Sequence, residues 1–197
     1  AGSSLMNSSR LVLIGAVLIS VLQIGFLSWN IAGRAAVLRD GQEVLLKVQP
    51  VDPRDLLRGD YVRLGYDIST IPAAVFVPPL TGDGDYEEHP VWVLLHKQDD
   101  SHFAAKSAAF DRAALPAAEA GEVVIRGVAS GRPFPEGTTT VDYGLERFYL
   151  PEGEGRPIET DMRERPFSVV AAVADNGSAQ IKRFLDGTTV LFEEPLY

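Results

Sequence analysis

Between Leu11 and Gly33 the chain carries no charged side chain: LVLIGAVLISVLQIGFLSWNIAG. No other stretch limits the possible folds so tightly. About twenty apolar residues span a bilayer as a helix, the one single-segment structure that satisfies its own backbone in hydrocarbon. Gln23 is the strongly polar side chain within Leu11–Leu27, and Trp29 falls where an interfacial aromatic belongs. Gln23 suits a contact with another helix, as do the small residues Ala16 and Ser20; an anchor also simply tolerates one uncharged amide. A cleaved signal peptide has a shorter apolar run and a small-x-small site, whereas Ala32-Gly33-Arg34 puts an arginine where a small residue is needed. The reading is an uncleaved transmembrane anchor over residues 11–33, with a tail at 1–10, a linker at 34–42 and an exported domain at 43–197.

Arg10 precedes the run and Arg34 and Arg39 follow it, so the flanking positive charges nearly balance. A short tail followed by a large folded domain sets the expected orientation. The N-terminus is cytoplasmic and the domain exported, which in a Gram-negative cell means a single-pass inner-membrane protein facing the periplasm. The formal net charge of −9 leaves no basic face to neutralise phosphates, so no nucleic-acid partner is expected. The chain has no cysteine, which removes disulfides, thiolate nucleophiles and cysteine metal sites.

After the anchor the pattern turns to period two. Residues 43–49 (EVLLKVQ) alternate as a strand, and a second strand is read from Tyr61 to Ser69. There Val62, Leu64, Tyr66 and Ile68 share one face; Tyr61, Arg63, Gly65 and Asp67 share the other. Further strands are expected at 91–97, 102–109, 122–130, 138–143, 167–174, 179–185 and 188–192, with a short helix at 158–165. Asn176-Gly177 and Asp186-Gly187 mark hairpin turns. The expected fold is mainly β: an antiparallel β-rich sandwich or barrel-like domain of about seven to nine strands, with little helix outside the anchor.

The densest chemistry lies in Val51–Ile68, VDPRDLLRGDYVRLGYDI. Asp52, Arg54, Asp55, Arg58 and Asp60 alternate in sign around Pro53 and Gly59. Short-range Asp and Arg residues cap turns and pair with each other, so this is read as a turn lock rather than as catalysis. The histidines His89, His96 and His102 lack metal-ligand spacing, although His96 and His102 are placed to meet across a hairpin. Asp83, Asp85 and Glu87 resemble the start of a calcium loop, but Leu94 stands where the bidentate acid belongs. No catalytic, metal or cofactor set emerges, and no cofactor is expected. Glu152 and Glu154 are the remaining acid–base candidates, in a Pro-Glu-Gly-Glu-Gly turn that reads as solvated.

Gly59-Asp60-Tyr61-Val62-Arg63-Leu64-Gly65-Tyr66 resembles the pattern that names the GDYXXLXY family. Tyr143 to Gly155 resembles the downstream motif of that family, with Glu146, Phe148, Tyr149, Glu152, Gly153 and Gly155 in it, and residues 177–183 resemble its last strand pair. The resemblance implies a bacterial membrane-anchored protein, with no established activity to carry over, that accompanies integral membrane proteins. The local shape also resembles serine–lysine signal peptidases, but Gln49-Pro50-Val51-Asp52-Pro53 has no hydroxyl upstream of the turn. The expected function is a non-enzymatic accessory or scaffold subunit whose partners are the bilayer, through residues 11–33, and an integral membrane protein. The alternative is an envelope module binding a peptide, glycan or metal ion. Val51–Ile68 and Tyr143–Gly155 are expected to pack together, with Arg54 or Arg58 paired to an acid of either segment.

Overall fold

The computed structural model describes residues 3–49, 61–81, 83–149 and 165–195. The chain divides into two compact units, Ala1–Ala36 and Val37–Tyr197. Helix α1 runs Ser3–Asp40. Its stretch from Val12 is long and apolar enough to cross a membrane, with a mean hydropathy of 2.2. The helix also continues through the residues read as a linker. Arg34 to Asp40 contains no breaker, and Gly41 then closes the last turn by donating its N–H to Val37 O at 2.9 Å. A side chain at Gly41 would stand 2.5 Å from that same oxygen. In this last turn Leu38 is buried.

The β unit is mainly antiparallel. In chain order its strands are β1 (Gln42–Gln49), β2 (Tyr61–Arg63), β3 (Gly65–Tyr66), β4 (Thr70–Pro72), β5 (His89–Lys97), β6 (Phe103–Ala109), β7 (Glu122–Ala129), β8 (Thr138–Asp142), β9 (Arg147–Tyr149), β10 (Phe167–Val173), β11 (Ala179–Asp186) and β12 (Thr189–Glu193). One sheet has the order β12-β11-β10-β1-β3, a second β4-β8-β7-β5-β6, and β2 pairs with β9 as a separate ribbon. Alternation builds the core. Val44, Leu46, Val169 and Ala171 of the first sheet join Val93, Leu95, Val123 and Ile125 of the second in one apolar cluster. β10 is buried along its whole length, so its run Phe167–Val173 is apolar almost throughout. The β5–β6 edge is covered where Val77 donates its N–H to Ala108 O at 2.8 Å.

The strand read as continuous from Tyr61 to Ser69 is divided in the structure, because it serves more than one partner. β2 pairs with β9, β3 pairs with β1, and a helical turn over Asp67–Ser69 precedes β4, which pairs with β8. The face assignment within it holds for the described side chains: Leu64, Tyr66 and Ile68 are buried, and Asp67 is exposed. Splitting this run, together with the short β4 and β9, raises the strand count above the expected range. The expected helix at 158–165 lies outside the described residues except for Arg165.

Phe184 joins the two ends of the core. It is fully buried and stacks on Phe148 of β9 at 5.2 Å and on Phe167 of β10 at 5.5 Å. Truncating it leaves a cavity as well as lost contacts. Phe184→Ala should cost about 3–5 kcal/mol in denaturant unfolding of the β unit. A loss below about 1 kcal/mol would mean that the aromatic stack is not part of the core.

Candidate functional site

The family-like motif and its downstream partner meet through backbone and phenol groups. In the β2–β9 ribbon Tyr61 lies opposite Tyr149, Val62 opposite Phe148 and Arg63 opposite Arg147. Where the ribbon ends, Leu64 donates its N–H to Glu146 O at 2.8 Å. Tyr66 then donates its hydroxyl to Leu145 O at 2.7 Å, and Tyr143 donates its own to Ile68 O at 2.7 Å. Each tyrosine reaches from one segment to the backbone of the other, so the two bonds form a reciprocal clasp across more than seventy positions of sequence. Both rings are buried. Burial, and after it the charge of Glu146, push both phenols well above the ordinary tyrosine range, so they remain neutral donors. Gln49 of β1 holds the same region by donating its side-chain amide to Asp67.

Glu146 is the unusual acid of this site. Burial pushes its pKa up to about 7, and a hydrogen bond with Asp142 pushes in the same direction; the Tyr143 N–H, donated to its Oε1 at 2.7 Å, works against them. Asp142 also accepts the N–H of Gly144 at 2.8 Å, and Gly144 takes a φ of 76°, so a tight turn fixes the pair of acids. Of the residues expected to form the motif site, Leu64, Tyr66, Glu146 and Phe148 come together here, with the backbones of Tyr61 and Tyr149. Asp52, Arg54, Asp55, Arg58, Gly59, Asp60, Glu152, Gly153 and Gly155 lie outside the described residues, as does the expected pairing of Arg54 or Arg58 with an acid.

The histidines hold loops. His89 Nε2 lies 2.8 Å from Asp85 Oδ1, and that oxygen also accepts the N–H groups of Glu87 and Arg132. Burial disfavours the Asp85 charge, but these donors outweigh it and keep its pKa below the usual carboxylate range. His102 bridges Asp100 Oδ2, at 3.1 Å from its Nδ1, to Ser168 Oγ, at 2.9 Å from its Nε2. The contact order Asp–His–Ser is that of an acyl-transfer relay. Ser168, however, is buried in mid-sheet, with Lys47 of β1 opposite it on one side and Leu185 of β11 on the other. Its backbone belongs to the ladder and offers no free N–H to an oxyanion. The trio tethers the β5–β6 turn to β10. Ser101, the residue between the acid and the histidine, sits at φ 71°. Among the described residues no three His, Asp or Glu gather as metal ligands.

The family model described as GDYXXLXY protein matches residues 23–184. The chain belongs to the GDYXXLXY family. No curated protein and no solved structure matches it. The clasp gives the family's letters a physical meaning: the leucine of the name is Leu64, buried and bonded to Glu146 O, and its last tyrosine is Tyr66. The second tyrosine-bearing element, Tyr143, was legible as part of a downstream motif. Asp142 and Ser168 carried no signal in sequence, and Asp85 stood out only for its acidic spacing, because their partners are brought to them by the fold.

Glu146 fixes the sign of one pH effect. With a folded pKa near 7 against an ordinary 4.5, the folded state retains a proton that the unfolded chain has released between about pH 4.5 and 7. Its contribution to stability is complete below that window and is lost as pH rises through about 7. The β unit should therefore melt lower at pH 8 than at pH 5, and Glu146→Gln should flatten this slope by about 2–4 °C, read by calorimetry. An unchanged slope in the variant would remove Glu146 as its source.

Proposed function

We propose that this GDYXXLXY protein is a single-pass accessory subunit of a bacterial inner-membrane assembly. Residues 11–33 anchor it with the N-terminus in the cytoplasm, and the β unit works in the periplasm against an integral membrane protein. One observation carries this reading: an uninterrupted helix whose apolar side chains are exposed all round, in a chain whose β unit is separately compact. Leu13, Ile14, Val17, Leu18 and Phe26 are among its exposed large side chains, and neighbours such as Leu13 and Ile14 point to different faces. A helix apolar on every side is stable in lipid or among other helices, not in water.

The β unit favours binding over chemistry. Its most elaborate polar arrangements, at Asp85, His102 and the tyrosine clasp, hold loops and segments in place. A rigid domain tethered beside a membrane meets its partner at a high local concentration without new contacts.

Extraction of the full chain in a mild detergent, followed by native mass measurement, tests the reading. The expected species contains the chain together with at least one membrane-embedded subunit. A strictly monomeric chain across several detergents would contradict it.

A further inference from the structure

The surface loops that follow β4 and β7 are interlocked. Asp85 donates its N–H to Arg132 O at 3.1 Å and accepts the Arg132 N–H on its carboxylate at 3.2 Å. Gly131, at φ 152°, has no room for a side chain, because a Cβ there would run into Asp85 O. The Arg132 guanidinium lies 5.3 Å over the Phe110 ring, which itself stacks on buried Phe76 at 4.9 Å. Thr139 ties down the same turn by donating its hydroxyl to Gly131 O at 2.8 Å, and Gly137 closes it by donating its N–H to Phe134 O at 2.7 Å.

Two aromatic rings rise from this rigid pair of loops. Tyr86 is 86% exposed and Phe134 is 49% exposed. The two loops lie side by side: a Cβ added at Gly84 would stand 3.1 Å from the Phe134 ring, and one added at Gly131 would stand 3.1 Å from the Tyr86 Cα. Solvent-facing aromatics, Tyr above all, are enriched among the residues that dominate the energetics of protein interfaces. Around them Asp83, Glu87, Glu88 and Glu136 are exposed, and none forms an ion pair with a described residue. The cation of this surface, Arg132, is already engaged by Asp85 and Phe110. Among the described residues the surface is apolar at its centre and negative at its rim, so its complement is apolar with a positive rim.

We propose that Tyr86 and Phe134, within the ring of Asp83, Glu87, Glu88 and Glu136, form the docking surface for a cationic segment of a partner protein that also carries apolar side chains. The inference rests on the accessory-subunit reading and gives that partner its chemistry. The acidic rim speeds encounter and selects sign, and the two rings hold the bound segment.

The test uses the purified full chain in uncharged detergent and fluorescein-labelled peptides of alternating Lys and Val, or of alternating Glu and Val, read by anisotropy. The Lys peptide should bind at least tenfold more tightly than the Glu peptide and weaken as salt is raised. Tyr86→Ala with Phe134→Ala should weaken it at least tenfold again. Neutralising the rim (Asp83→Asn, Glu87→Gln, Glu88→Gln, Glu136→Gln) should abolish the salt dependence. All six side chains are exposed, so the variants should melt as the wild type does. Absence of binding, equal binding of both peptides, or binding that ignores these substitutions would overturn the surface assignment. Native mass of the same variants separates the two claims. An assembly that survives Tyr86→Ala with Phe134→Ala keeps the accessory reading and rejects this surface. A homodimer dispersed by the pair identifies a second copy as the occupant and rejects the cationic partner.

Discussion

The β unit depends on two hydroxyl groups that cross between distant parts of the chain. Tyr66 donates to Leu145 O and Tyr143 donates to Ile68 O, and both bonds are buried. A buried carbonyl without a donor is costly, typically by about 1–3 kcal/mol, whereas the bond itself adds less. The clasp therefore acts mainly as a constraint: each phenol fits when the other segment is in place and penalises arrangements where it is not. The β2–β9 ribbon is only three residues long on each side, too short to be stable alone. The clasp and the Leu64 N–H bond to Glu146 O extend it into the core.

From that junction the rest of the β unit can be followed outward. β3 continues from β2 and adds to β1, which carries the first sheet; β8 and the turn after it lead from the second sheet into β9. Phe148 enters the core from β9 and meets Phe184 and, edge-on at 5.0 Å, Phe192. In its described residues the motif is thus where both sheets are joined. The proposed docking surface lies on other loops, whose polar groups hold each other and leave aromatic rings outside.

Much of this was readable from local pattern. Alternation in residues 43–49 placed β1, since a strand's two faces differ in what they bury, and the continuous apolar run at 167–173 placed β10, which is buried on both faces. Asn176-Gly177 and Asp186-Gly187 marked their turns because each glycine takes positive φ, 84° and 56°. The pairing of Tyr61–Tyr66 with the segment after Tyr143 was also anticipated. What local pattern did not carry was a change of partner within one extended run. Tyr61 to Ser69 looks like one strand because its side chains alternate, but its hydrogen bonds pass from β9 to β1, and those of β4 just beyond it go to β8. The proton-holding Glu146, the His102 bridge to Ser168 and the Arg132–Phe110 stack were illegible for the same reason. Each depends on burial or contact between residues far apart in sequence, such as the 66 positions between His102 and Ser168.

The central claim is that the two tyrosines act as one clasp. A double-mutant cycle on the β unit's unfolding, with Tyr66→Phe, Tyr143→Phe and the pair, tests it directly. Each single change should cost about 1–3 kcal/mol, and the pair should cost less than their sum by at least about 0.5 kcal/mol, because loosening either bond frees the segment the other holds. Single costs near zero, or strict additivity, would contradict it.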